Sequence, residues 1–336
     1  MKFIIVLFLL ISCSLFSEEI RVGKIFIEQS KVFEKKDADW FFASPLLNKL
    51  HWQTNDYIIY DELLFNEDEV IDEEYLLETE RNLRATELFT YVRLSIDSVF
   101  DDTYNVYIET KDRWSLYPSL LYGTGGGTSN YGGRLEEFNL FGTGTKLMGE
   151  ALYRTENDIG FQGKFQLSQR RLFRSELSFN ALISANKFRT DQNFSLSQPY
   201  RTLDTKWSYG VDFLNSFGEN FLYINRDSLG LMPFLERSGK AYISRAWSRK
   251  DKVFATFLLA ANEINRELIN YRQAFDNTMQ LLIQFSSVSQ DFFTVSKLNS
   301  YSDEDMAIGG YGAATIGRVF DLKKSGGFYY ISGQGE

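Results

Sequence analysis

Between residues 161 and 213 apolar and polar side chains change places at almost every step, and this alternation restricts the chain more than any other feature. Phe161, Gly163, Phe165 and Leu167 alternate with Gln162, Lys164, Gln166 and Ser168. Leu177, Phe179, Ala181, Ile183 and Ala185 alternate with Ser178, Asn180, Ser184 and Asn186, broken only at Leu182. Trp207, Tyr209, Val211 and Phe213 alternate with Lys206, Ser208 and Asp212. Period two belongs to a strand with one apolar and one wet face. Runs of about 8 to 12 residues have the length that a tilted membrane-spanning strand requires. Further strands are expected near Lys146–Arg154, Phe194–Ser197, Ala241–Trp247, Val253–Ile264, Gln280–Phe285, Phe292–Leu298, Ile308–Val319 and Phe328–Ile331. A large soluble β-sandwich shows the same alternation. Aromatics gathered near strand ends (Phe188, Tyr200, Trp207, Phe217, Phe221) and a long polar connection at Asn225–Gly239 favour a transmembrane barrel instead.

The amino terminus agrees with export. Lys2 is followed by the apolar run Phe3–Ile11 and then by small residues to Ser17, so residues 1–17 read as a signal peptide, too short to span a bilayer. Leu10-Ile11-Ser12-Cys13 also resembles a lipoprotein cleavage box, which makes Cys13 a lipidation candidate; cleavage near Ser17, discarding Cys13, is the preferred reading. Beyond this segment the longest uninterrupted apolar run is Phe257–Ala261. An exported chain with no spanning helix can sit in a membrane only as a closed barrel, because hydrocarbon leaves no other partner for backbone donors and acceptors.

Composition removes several function classes. A net charge of −9 gives nucleic acid no electrostatic reason to bind. His51 and Cys13 are the only residues of their kinds, which excludes His/Cys metal clusters, Ser-His-Asp triads and Cys-His pairs. No enzyme activity, metal or cofactor is expected. The run Glu67, Asp68, Glu69, Asp72, Glu73, Glu74, Glu78 and Glu80 reads as a solvated helix face. Gly123-Thr124-Gly125-Gly126-Gly127 lacks the Gly-Lys-Ser/Thr of a phosphate loop and reads as a flexible lead into a first barrel strand over Thr128–Phe138. His51, beside Trp52, reads as a packed or hydrogen-bonded surface residue.

Residues 18–112 differ from the rest in being charged, mixed and nearly free of glycine. Ile20, Val22, Ile25 and Ile27, with Val32 and Phe33, predict a strand; Trp40–Leu50 predicts a short helix interrupted at Pro45. Asp72–Leu88 carries Tyr75, Leu76, Leu83 and Leu88 at helical spacing, with Asp72 as N-cap and acidic residues favoured by the helix dipole. Tyr91–Ile96 and Tyr104–Thr110 predict two strands around a turn at Asp101-Asp102, so the order is β-α-α-β-β. Ile25, Ile27, Leu76, Leu83, Leu88, Val92, Leu94, Val106 and Ile108 are the expected core.

Four stretches carry a family resemblance. Glu78-Thr79-Glu80-Arg81-Asn82-Leu83-Arg84, running into Leu88-Phe89 and Val92-Arg93-Leu94, resembles the last helix and second strand of a polypeptide-transport-associated (POTRA) domain. Asp112-Arg113-Trp114-Ser115-Leu116-Tyr117-Pro118 resembles a junction into a barrel, and Asn139-Leu140-Phe141-Gly142-Thr143-Gly144 the first barrel hairpin. Gln198-Pro199-Tyr200-Arg201, continuing to Trp207, is similar to a later strand connection. In this order they resemble the bacterial surface antigen, outer-membrane assembly and two-partner-secretion superfamily. The expected fold is mainly β: a POTRA-like α/β domain over 18–112, then an antiparallel transmembrane β-barrel over 113–336.

The resemblance implies an outer-membrane location with the first domain in the periplasm, membrane lipid as surroundings, unfolded periplasmic proteins or lipid as clients, and accessory lipoproteins as partners. It places client capture on the edge strand Tyr91, Val92, Arg93, Leu94, Ser95 and Ile96, through backbone pairing. The alternative is a passive porin or surface antigen. The chain departs from the family pattern by ending on Gly333-Gln334-Gly335-Glu336 without a terminal aromatic, and Gly309-Gly310-Tyr311 does not match the family's Arg-Gly-aromatic loop motif. A carboxy-terminally incomplete barrel is therefore expected.

Overall fold

A computed structural model describes residues 19–33, 47–49, 51–100, 102–224, 227–249, 251–266, 276–296, 303–323 and 326–335. The export segment, Cys13 and most of the Trp40–Leu50 stretch lie outside them; residues 47–49 are helical.

The first unit contains β1 (Glu19–Ser30), α1 (Asp56–Glu62), β2 (Val70–Asp72), α2 (Glu74–Arg84), β3 (Phe89–Phe100) and β4 (Thr103–Asp112). Its sheet runs β2-β1-β4-β3, with β1 parallel to β4 and the other pairs antiparallel. Two elements add to the β-α-α-β-β expectation: the three-residue β2 and the helix α1. Val32 and Phe33 lie past the end of β1 rather than within it. A register shift between Val22 and Ile25 explains how one strand uses both parities, because Ile20 and Val22 face the core before it and Ile25 and Ile27 pack on the core after it.

Helix α2 is shorter than the Asp72–Leu88 expectation. Asp72 Oδ1 accepts the Glu74 amide at 3.0 Å, just ahead of the first turn. Glu87, at φ 62°, turns the chain toward β3. Leu76, Thr79 and Leu83 are buried on α2, and Leu76 and Leu83 join Ile59, Val22, Val92, Val106 and Ile108 in an apolar core. Six of the nine expected core residues are buried, and Ile25, Ile27 and Leu94 pack against them.

The second unit is one antiparallel sheet of twelve strands in sequence order. They are β5 (Leu116–Gly125), β6 (Thr128–Leu140), β7 (Thr145–Arg154), β8 (Gly160–Gln169), β9 (Ser178–Asn186), β10 (Arg189–Gln198), β11 (Trp207–Ile224), β12 (Asp227–Trp247), β13 (Lys252–Arg266), β14 (Asn277–Ser296), β15 (Asp303–Asp321) and β16 (Gly327–Gly335). Such a meander is the sheet of an up-and-down β-barrel.

Three expectations are corrected here. The first strand is β5, not Thr128–Phe138, and the glycine run belongs to it: Gly123–Gly125 pair with Thr128–Asn130, leaving Gly126 and Gly127, at φ 59° and 83°, as a tight hairpin turn. The polar connection Asn225–Gly239 is mostly strand, since β11 and β12 stay paired from Trp207↔Arg245 to Ile224↔Asp227. Gln280–Phe285 and Phe292–Ser296 are parts of the single strand β14.

The polarity of this sheet is inverted relative to a water-soluble one. Tyr209, Ile243, Phe257, Ile283, Ile316 and Ile331 are register partners across six strands, yet each is 42–80% exposed. On the opposite face Ser208, Ser216 and Ser244 are buried. Apolar groups face outward and small polar groups face the concave side, as in a barrel whose surroundings are hydrocarbon and whose interior is wet. Among the described residues no helix is long and apolar enough to cross a membrane.

Candidate functional site

One end of the sheet, its base, carries the turns after β6, β8, β10 and β12, and the first unit sits against it through complementary side chains. The turn Asn139–Gly144, expected as the first barrel hairpin, closes the second, between β6 and β7. Asn139 holds it together, accepting the Gly144 amide on Oδ1 at 2.8 Å while its Nδ2 donates to Thr54 Oγ1 at 2.9 Å. The Asn55 amide donates to Gly142 O at 2.9 Å, and the Trp52 and Phe141 rings meet edge to face at 5.1 Å. Gly142 is required twice over: its φ is 71°, and a Cβ there would stand 2.2 Å from the Gln53 carbonyl oxygen. Leu140 O accepts the Thr143 hydroxyl at 2.8 Å within the same turn.

His51 belongs to this socket. Its side chain is buried, not on the surface, with Nε2 3.2 Å from Asp112 Oδ2 and Nδ1 3.2 Å from Ser115 Oγ. The same Asp112 oxygen accepts the Thr54 amide at 3.0 Å. The junction between the two units and the segment 51–54 are thereby joined.

The next contacts are ionic. Glu62, at the end of α1 and 1% exposed, accepts Arg171 Nε at 2.8 Å and Arg170 Nε at 3.1 Å from the β8–β9 turn. Burial opposes the Arg171 charge, but Glu62 and Glu176 outweigh it and hold the guanidinium above its ordinary value. Arg174 forks onto Asp61, with Nη2 2.7 Å from Oδ1 and Nε 3.0 Å from Oδ2.

The acidic run is not simply a solvated face. Glu74 takes Arg249 Nη1 at 3.3 Å, and Tyr75 donates its hydroxyl to Asp204 at 2.6 Å. Glu78 is buried and accepts the Leu203 amide from the β10–β11 turn; burial raises its pKa above the usual carboxylate range. Sequence reasoning missed these partners, although Arg170, Arg171, Arg174, Arg201 and Arg249 all lie in turns at one end of the sheet.

The strand β3 lies at the edge of the first sheet, and among the described residues its outer side is paired with no strand. The Leu94 amide donates to Glu80 Oε2 at 3.3 Å. It therefore points away from β4, and by the alternation of an antiparallel ladder so do the amides of Val92 and Ile96, while those of Tyr91, Arg93 and Ser95 face β4. Glu80 also holds Arg84, whose Nε and Nη2 reach Asp305 of β15 at 2.8 and 2.9 Å. Arg81 stacks over Phe292 of β14 at 4.8 Å. Among the described residues β14 past Val288 and β15 before Gly312 pair only with each other, so this hairpin projects beyond the base onto α2.

No family model matches the chain, and no curated protein matches its sequence. Among solved structures it is similar to BamA from Haemophilus ducreyi lacking POTRA domains 1-3, at 11% identity and a TM-score of 0.39 over 94% of this chain and 81% of that one. It is similar also to CdiB from Acinetobacter baumannii, at 9% identity and a TM-score of 0.38 over 94% and 63% of the two chains. For CdiB from Escherichia coli the figures are 10%, 0.34, 94% and 70%. The chain thus spans less than two thirds of the second of these.

Proposed function

We propose that the chain is an outer-membrane β-barrel of the assembly or translocation type, whose first unit is a periplasmic POTRA-like domain that receives an extended segment of an unfolded client. The observation that carries this reading is the edge of β3, which no strand pairs among the described residues, held next to the base of an apolar-out sheet. An unpaired edge offers backbone donors and acceptors without regard to client sequence, which suits a protein that handles many unfolded chains. The apolar belt matches lipid as the partner of the sheet, and exported clients and lipid reach the periplasmic side.

Proline scanning tests it. Ile96→Pro removes an outward amide at an exposed position and should abolish crosslinking to unfolded client peptides in a chain that stays folded. Arg93→Pro and Ser95→Pro remove amides facing β4 and should unfold the first unit. Unchanged crosslinking in a folded Ile96→Pro chain would sink client capture at β3.

A passive pore plugged by its first unit is the second reading, favoured by one observation: the turns after β6, β8, β10 and β12 are each engaged by the first unit. Single-channel conductance that rises when the Glu62 pairs are broken, with no effect on client assembly, would favour it.

A further inference from the structure

A chamber of about 440 Å³ lies between the first unit and the base of the sheet, and it carries more positive charge than its surroundings neutralise. Its wall includes Lys146, Arg170, Arg171 and Arg201, against the single carboxylate of Glu62. Two further carboxylates reach these cations from outside the wall: Glu87 bonds Lys146, and Glu176 bonds Arg171. Arg170 shares Glu62 with Arg171. Arg201 has only a longer ion pair with Glu176, the carboxylate that Arg171 already holds. Its side chain is 3% exposed, and its Nη2 donates only to neutral acceptors, the carbonyl oxygens of Arg170 and Glu176 and the hydroxyl of Ser178 at 2.7 Å. Its Nε has no hydrogen-bond partner, although Glu176 Oε2 stands 3.4 Å away. Burial, with Arg170 alongside, lowers the Arg201 pKa to about 10. A buried guanidinium whose counterion is shared with another arginine and makes no hydrogen bond to it is costly, and a bound anion lowers that cost.

We propose that this chamber binds a phosphate-type oxyanion, held by Arg201 and Arg170 with the Ser178 hydroxyl beside them. Forked N–H donors match the tetrahedral oxygens of phosphate, which accept several hydrogen bonds at once, while the Ser178 hydroxyl, donating to Arg170 O at 3.0 Å, helps fix the two arginines. The chamber is many times the roughly 30 Å³ share of one water, so it accommodates an oxyanion with a substituent as well as a free one. The inward-facing Gln166, Ser168 and Asn180 line the same space, so it continues into the concave side of the sheet. Inorganic phosphate and the phosphodiester head group of a phospholipid share this chemistry.

The test is thermal unfolding of the purified full chain in zwitterion-free detergent at constant ionic strength, titrated with sodium phosphate in one arm and with a short-chain phosphatidylglycerol in the other. Ligand-linked stabilisation predicts a saturable rise in Tm of about 2–4 °C. Arg201→Met should abolish the rise, and Arg201→Lys should weaken it. A rise in the phosphate arm identifies the free anion; a rise confined to the phospholipid arm identifies the head group. Should Arg201→Met fail to fold, Arg170→Met, at a more exposed position, takes its place. The proposal is overturned by the absence of a rise in both arms, or by a rise that survives both substitutions.

Discussion

The two units use one sequence rule with opposite sign. In the first, the inward positions of β1, β3 and β4 carry Val22, Val92, Val106 and Ile108, all at most 2% exposed. In the sheet of β5 to β16, strands alternate just as strictly, but the concave face buries serines while Phe257, Ile283 and Ile316 stay open. Alternation therefore identifies a strand without saying which face is solvated. What separates the cases is the content of the enclosed side: closely packed aliphatic side chains with a helix over them, or a polar interior with, among the described residues, no element over the apolar face.

Substitutions at matched positions would break this comparison if it is wrong. Leu83→Ala, in the core of the first unit, should cost about 3–4 kcal/mol in denaturant unfolding, because Leu83 is fully buried. A loss under about half a kcal/mol would contradict that packing. Ile283→Arg on the outward band should cost about 2–3 kcal/mol when the chain refolds into lipid vesicles. Leu77, 60% exposed on α2, supplies the control: Leu77→Arg should stay within about half a kcal/mol of the parent. Equal, negligible effects of both arginines would mean that water covers both surfaces.

The legibility of the fold follows the same division. β8 and β9 were readable because each is close to the span of the bilayer and alternates, in β9 with the single break at Leu182. β5 was not, because Pro118 and its glycines weaken the strand pattern. The first half of β12 read as a polar loop because it opens on Asp227-Ser228 and carries Gly230 and Pro233, residues that weaken a strand pattern. α1 escaped notice because its seven residues, Asp56-Tyr57-Ile58-Ile59-Tyr60-Asp61-Glu62, are too few for a helical period and rich in residues that favour strands. The seam was illegible for a different reason: Glu62 and Arg171 are 109 residues apart, and nothing local to either announces the other.

Gly142 sharpens the comparison at the point where the units meet. Gly142→Ala forces a side chain into left-handed backbone at a cost of about 1–2 kcal/mol, and its Cβ also displaces the Gln53 carbonyl. Limited proteolysis should then cut the segment 51–55 faster than in the parent. Gly126→Ala shares the positive φ, 59°, but meets open space, so it should weaken the β5–β6 turn without exposing that segment. Equal cleavage in the two variants would remove the close approach at Gly142 from the argument.

The smallest expected effect belongs to Glu78, which sits at the seam and is unlike either unit's normal surface. Burial raises its pKa, and Oε2 has no hydrogen-bond partner while Oε1 accepts the Leu203 amide. In the pH range between the ordinary value of 4.5 and the raised one, the native chain holds a proton that the unfolded chain has released. The contribution of this group is therefore fully present below pH 4.5 and is lost as pH rises through the folded value. Glu78→Gln keeps an oxygen for the Leu203 amide and removes the titration. The variant should match the parent in acid and exceed it at neutral pH by up to about 1 kcal/mol. Stability curves for parent and Glu78→Gln, measured from acid to neutral pH, should separate as the pH increases. A constant difference would show that the carboxylate ionises as freely at the seam as in water. A difference that shrinks with pH would show that Arg81 and Arg249 stabilise the ionised form more than burial penalises it.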